Sequence, residues 1–154
     1  MKDSSETAYP EISEDLLSSW ISISISVRNE RLVQAMTYQE MLVCGILLQA
    51  ERNEEQATAS DIVSAAGILK SQVNRILNAM EKKHLLIRVP SQQDHRRRFL
   101  RLTPSGRSQY QRQHAEVLKI MDRLVSGIGP APARKLAFLL NQASSQMKEI
   151  EETI

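Results

Sequence analysis

Residues 82–107 read KKHLLIRVPSQQDHRRRFLRLTPSGR, and the fold is decided there. Two short apolar runs, Leu85-Leu86-Ile87-Arg88-Val89 and Arg98-Phe99-Leu100-Arg101-Leu102, flank a polar, basic interval that opens at Pro90. Leu100 and Leu102 alternate with Phe99 and Arg101, as in a strand with one covered face. This pattern predicts a β-hairpin whose tip, residues 91–97, carries much of the charge. Thr103-Pro104-Ser105-Gly106 then sets a capping hydroxyl before a proline at the first helical position, where a missing N–H costs nothing. A long helix is expected from Pro104 to Ser126, broken at Gly127-Ile128-Gly129-Pro130. A last helix carries Leu136, Leu139, Leu140, Ala143, Met147 and Ile150.

Working back from the hairpin, residues 70–83 place Val73, Ile76, Leu77 and Met80 on one face of a helix. Ser71, Asn74, Arg75, Asn78 and Lys82 fall on the other. Thr58-Ala59-Ser60-Asp61 is a reciprocal cap opening a short helix through Ile62, Val63 and Ala66, which Gly67 ends. Two short helices joined by Ala66-Gly67-Ile68-Leu69 make a helix-turn-helix, the second presenting a polar, hydrogen-bonding surface outward. Thr37-Tyr38-Gln39-Glu40 opens a further helix by the same device, followed by the apolar run Met41–Leu48. Residues 13–35 are ambiguous, because Trp20–Val27 (WISISISV) alternates like a strand. As a helix it is apolar on two stripes, Leu16, Trp20, Ile23 and Val27 on one and Leu17, Ile21 and Ile25 on the other. With no alternating segment nearby to pair with it, the helix is the expectation, and such a helix must be buried against more than its own domain. Residues 1–12 read as a flexible leader.

The chain has 154 residues and a net charge of only +2, but the charge is unevenly distributed. Residues 1–81 hold 6 basic and 12 acidic groups (−6), residues 82–107 hold 8 and 1 (+7), and residues 108–154 hold 6 and 5 (+1). A cationic strip within an otherwise acidic or neutral chain is what a polyanion-binding element needs, since it can track phosphates. A solvated basic hairpin without a partner is the other reading of the charge alone. Aromatic residues make up 4% of the chain, too few for rows of base-stacking rings, which argues against single-strand binding by that route. A lone cysteine fits a reducing compartment, no apolar run approaches the ~18 residues of a membrane span, and the polar N-terminus does not resemble a secretory signal. A cytoplasmic location is expected.

The order of elements, two helices, a short helix, an outward-facing helix, a basic hairpin and two long helices, is that of a winged helix-turn-helix between terminal helices. Asp94-His95-Arg96, the basic residues after it, and Leu100-x-Leu102-Thr103-x-x-Gly106 resemble the wing of the MarR family of bacterial transcriptional regulators. Ser71-Gln72-Val73-Asn74-Arg75 and Met80-Glu81-Lys82-Lys83-His84-Leu85 resemble that family's recognition helix and its exit, and the resemblance covers residues 14–152. It implies a mainly α fold with a small β-hairpin wing, in which residues 37–103 form the DNA-binding domain and residues 13–36 and 104–154 the dimerisation region. It further implies a homodimer bound to a pseudo-palindromic operator in double-stranded DNA, acting as a repressor, with a small-molecule effector releasing it. A winged-helix module that binds protein and has lost DNA binding is the alternative, against which the +7 strip weighs.

On this resemblance Asn74 reads bases, because its amide can pair bidentately with adenine, and Gln72 is suited to the same task. Lys70, Ser71 and Arg75 hold phosphates and set register. Arg96 resembles the family's minor-groove arginine, Asp94 the acid that orients it, and Arg97 and Arg98 clamp the backbone. Three positions depart from the family pattern. Leu69 replaces a capping hydroxyl, His84 replaces a glycine after the helix, and His95 replaces the arginine after Asp94. Trp20 and Met41 are candidates for an effector pocket, although an apolar stripe is more often core. Cys44 sits in Met41-Leu42-Val43-Cys44-Gly45-Ile46-Leu47 with no cation beside it, and reads as a buried structural thiol. The three histidines lack ligand spacing, and no nucleophile, phosphate loop or carboxylate pair is present, so neither a metal, a cofactor nor an enzyme is expected.

Overall fold

The structure, a computed structural model, describes residues 9–28, 36–94 and 96–153. It is mainly helical with one antiparallel hairpin: α1 (Pro10–Arg28), α2 (Tyr38–Arg52), α3 (Ala59–Ala66), α4 (Lys70–Lys82), β1 (Leu86–Pro90), β2 (Arg98–Leu102), α5 (Pro104–Ile128) and α6 (Pro130–Thr153). The chain divides into two compact units, one up to Gln113 and one from His114.

In the first unit the amphipathic stripes read from the sequence meet in one core. Val43, Cys44 and Leu47 of α2, Ile62 of α3, and Val73, Ile76, Leu77 and Met80 of α4 close on Leu85, just past α4, and on Leu86, Leu100 and Leu102 of the hairpin, all buried. Both predicted caps form. Thr37 accepts from the Glu40 N–H while Glu40 accepts from the Thr37 N–H, and Thr58 and Asp61 repeat the exchange. Gly67 ends α3 in the left-handed region at φ 63°, which a Cβ would disfavour.

Glu40 has a second task. It is 2% exposed, and its other carboxylate oxygen lies 2.6 Å from the Lys83 ammonium, tying the start of α2 to the end of α4. Glu40→Ala removes the carboxylate half of the capping box and the charge-assisted bond to Lys83, and we expect a loss of about 2 kcal/mol in urea unfolding. A change within 0.5 kcal/mol would contradict this.

The hairpin pairs Leu86 with Leu102 and Pro90 with Arg98, so β1 begins at Leu86, one residue later than the sequence suggests. The main chain of Leu85 is otherwise engaged: its N–H donates to Met80 and its carbonyl accepts from the Thr103 N–H. His84 takes the left-handed conformation (φ 56°) expected where glycine is usual, and its carbonyl accepts from the Thr103 hydroxyl at 2.6 Å.

Residues 13–28 are helical, as expected, and the helix opens at Pro10, inside what reads as leader. Proline's fixed φ suits a first helical position, so Pro10 opens the helix although it reads as part of the leader. Residues 29–35 and the rest of the leader up to residue 8 lie outside the described residues. On α1, Leu16, Trp20 and Ile25 are all more than half exposed. In the second unit α5 runs to Ile128, two residues further than expected, and α6 follows from Pro130. Leu124, Phe138, Leu140, Met147 and Ile150 are exposed there. Among the described residues no helix is long and apolar enough to cross a membrane.

Candidate nucleic-acid interface

Two elements of the first unit carry the predicted site residues. The helix α4 buries Val73, Ile76, Leu77 and Met80, which turns Lys70, Ser71 and Arg75 to solvent and leaves Gln72 and Asn74 half-buried at the edges of that face. Its N-terminus has no side-chain cap, because Leu69 stands at the capping position. The first-turn N–H groups are therefore not taken up by a capping side chain. Unsatisfied donors at a helix N-terminus, with the positive end of its dipole, favour a phosphate.

The wing tip is folded by its own polar side chains. Ser91 is buried, and its hydroxyl accepts from the N–H groups of Gln93 and Asp94, both at 3.2 Å. The Asp94 carboxylate accepts from the Arg96 main-chain N–H at 3.0 Å, and the Asp94 carbonyl from Arg97 at 2.9 Å. Asp94 thus shapes the turn that presents Arg96, acting on its backbone. Arg96 and Arg98 are exposed, Arg98 at the end of the ladder opposite Pro90. His95 lies outside the described residues.

Arg97 differs from its neighbours. Its guanidinium lies over the Phe99 ring, 5.9 Å from the centroid. It also faces Asp61, whose carboxyl is held below its ordinary range by the Thr58 hydroxyl first, the Thr58 N–H second and the Arg97 charge last, against a small opposing effect of burial. Arg97 and Asp61 also line one open groove, which places the wing tip beside the cap of α3.

Sequence reasoning passed over the ties that hold this arrangement. The Leu100 N–H donates to the Ala57 carbonyl at 2.8 Å, joining β2 to the lead-in of α3. Arg107 pairs with Glu51 at 2.6 Å, and Arg88 of β1 reaches Asn78 and Glu81 of α4. The first two join residues more than 40 positions apart, and the third crosses from a strand to a helix, so no local pattern marks them. Asn78, on the polar face of α4, is occupied by Arg88.

Met41 lines an open groove of about 360 Å³ with Tyr38, Gly45, Ile46 and Tyr110; Trp20 is not among its lining residues. Cys44 is fully buried, and burial first, the Glu40 charge second, push its thiol from 9.0 up to about 12. Oxidation and alkylation need the thiolate. We expect the folded protein to resist a thiol reagent at pH 8 while the urea-unfolded chain reacts readily; equal rates would contradict this. Folding raises this pKa, so the protonated thiol stabilises the fold fully below the unfolded value, and the contribution is lost as pH rises from about 9 toward 12. Among the described residues no group of three His, Cys, Asp or Glu side chains is placed to hold a metal ion.

Comparison with known proteins agrees with this geometry. The family model for the MarR family matches residues 36–97. Over 94 residues the chain is 29% identical to the HTH-type transcriptional regulator FarR of Neisseria gonorrhoeae, covering 61% of this chain and 62% of that protein. The chain thus spans less than two thirds of this relative's length. Among solved structures, the transcriptional repressor CouR bound to a 23-mer DNA duplex superposes with a TM-score of 0.74 at 25% identity, covering 91% of this chain and 99% of that one. Streptococcus pneumoniae FabT in complex with DNA superposes with a TM-score of 0.68 at 20% identity, covering 92% and 99%.

Proposed function

We propose that this protein is a homodimeric transcriptional repressor of the MarR type that reads double-stranded DNA, a reading supported by the match of residues 36–97 to the MarR family model. The observation that carries the reading is the pairing, in one compact unit, of a helix with an outward polar face and a folded, arginine-rich wing. Residues 37–103 read the DNA. Asn74 and Gln72 meet base edges in the major groove, while Lys70, Ser71 and Arg75 fix register on phosphates. Asp94 holds the turn that carries Arg96 toward the minor groove, where a narrow A·T-rich segment has enhanced negative potential. Arg98 clamps the backbone, and Arg97 does so from its seat on Phe99.

The dimer is supported by apolar surface that a monomer has no reason to expose. Trp20 is 52% and Phe138 61% exposed, with large aliphatic side chains beside each, more than isolated surface hydrophobics account for. A second copy covers these faces, which assigns residues 13–36 and 104–154 to dimerisation. Two recognition helices then lie one helical turn apart, ~34 Å, on a pseudo-palindromic site. A small-molecule effector held beside Met41, in the groove it lines with Tyr38 and Tyr110, releases the DNA by favouring a spacing that no longer matches. The protein works in the cytoplasm, with the DNA.

The test is the salt dependence of duplex binding. Each phosphate neutralised releases counterions, so log K falls with log salt at about −0.9 per contact. A steep linear fall is expected from the wild-type dimer. A flat response, or no binding, would remove the reading.

A further inference from the structure

Arg88 stands midway along β1, opposite Leu100, yet its side chain leaves the strand for α4. Nη2 donates to Asn78 Oδ1 at 2.7 Å, and Nε lies 3.2 Å from Glu81 Oε2. Nε is buried and makes no hydrogen bond, so Asn78 supplies the directed bond and Glu81 the opposing charge. Asn78 and Glu81 are three residues apart, hence neighbours on one helix face.

Two consequences follow from this geometry. An arginine only donates, so the Asn78 carbonyl is committed to Arg88. Asn78 keeps its Nδ2 donor but its acceptor is already engaged, so it is less suited than Asn74, four residues before it, to the paired bonds by which an amide reads adenine. The second is mechanical. Between the end of α4 at Lys82 and the start of β1 at Leu86 the chain turns through the left-handed His84, and the base of the hairpin is held there by Leu85 and Leu86 in the core and by Thr103 on the His84 and Leu85 carbonyls. Arg88 adds a side-chain tie two residues into the strand, ~6.6 Å further toward the tip, and joins β1 directly to the polar face of α4.

We propose that Arg88 is a positioning residue that fixes the angle between the recognition helix and the wing through Asn78 and Glu81, so that both contact DNA in register. The proposal rests on the DNA-reading function above. Lysine cannot replace it, because a flexible point charge does not present the planar fork that bonds Asn78 while facing Glu81. Aspartate at position 78 can serve, since the fork accepts a carboxylate.

The probe is a set of duplexes enriched from a randomised pool by the wild-type protein. Binding is measured for Asn74→Ala, Arg96→Ala and the double variant, first with Arg88 and then with Arg88→Met. With Arg88 present, the two losses are expected to deviate from independence by about two- to tenfold in Kd. With Arg88→Met they become independent. Arg88→Met also weakens the selected duplex by about tenfold and a scrambled duplex by less than about twofold, because register matters only to the specific complex. Asn78→Asp keeps the non-additivity and Arg88→Lys loses it. Non-additivity that survives Arg88→Met, or equal weakening on both duplexes, would overturn the proposal. Should thermal melting show that Arg88→Met does not fold, Asn78→Ala removes the acceptor alone and must abolish the non-additivity. Failure of the wild-type protein to enrich any sequence would remove the DNA-reading function itself, and this inference with it. Enrichment with an Arg88-independent interaction would remove only the inference.

Discussion

Gly106→Ala is expected to cost about 3 kcal/mol or more in urea unfolding, the loss associated with overpacking that nothing flexible can relieve. A Cβ at this position would lie 1.9 Å from the Leu85 carbonyl oxygen and 2.8 Å from the Leu85 carbonyl carbon. Both belong to the main chain, which cannot swing aside as a side-chain tip would. The same corner holds a dense set of bonds: Thr103 donates from its N–H to Leu85 at 3.0 Å and from its hydroxyl to His84 at 2.6 Å, and its hydroxyl accepts from the Gly106 N–H at 2.9 Å. This corner joins the exit of α4, the last strand of the wing and the start of α5. Separating Leu85 from residue 106 disturbs all three, so duplex binding should fall together with stability. A variant with unchanged urea midpoint would show that the corner is looser than described.

The largest effects on binding are expected from Arg96→Ala and Asn74→Ala, and the two should differ in kind. Arg96 is exposed at the tip of a wing whose turn Asp94 maintains. Its removal is expected to weaken every duplex, most of all those with A·T-rich sequence under the wing, and to lower the salt slope by about 1 per subunit, or about 2 for a dimer. Asn74 sits half-buried at the edge of the core-facing stripe of α4, beside the exposed Ser71 and Arg75. Its removal is expected to cost about 1–3 kcal/mol per half-site on the selected sequence and to relax the preference at one base pair, with the salt slope unchanged. Measured affinities across a salt series and a panel of single-base changes separate the two patterns. The opposite assignment, a slope change from Asn74 and a base-specific loss from Arg96, would exchange their roles.

What the sequence made legible was set by distance along the chain. The caps at Thr37 and Thr58, the left-handed glycine at position 67, the hairpin and the break before Pro130 each depend on residues within a few positions of one another, and each is in the structure. The uncapped start of α4 at Leu69 and the left-handed His84 were legible for the same reason. Glu40 was half legible. Its cap on α2 is local, whereas its contact with Lys83, 43 residues away, exists only once α2 and α4 pack. Arg88 was wholly illegible as a tie, since in sequence it is one more base in a basic strip. Its partner Asn78 was equally hidden, reading as one more polar residue on an outward face. Arg97 had the same appearance, and the structure sets it over Phe99 and toward Asp61. The alternating WISISISV segment shows the limit of periodicity alone. Helix wins there because a strand needs a neighbour to satisfy its backbone, while a helix satisfies its own.

The central claim is that two copies of this chain read one duplex with paired recognition helices and wings. Selection of bound sequences from a randomised duplex pool, with the mass of the complex measured on the enriched duplex, tests it directly. Two similar half-sites in inverted orientation are predicted, with centres about 10–10.5 base pairs apart and two protein chains per duplex. Enrichment of a single half-site by one chain, or no enrichment at all, would contradict it.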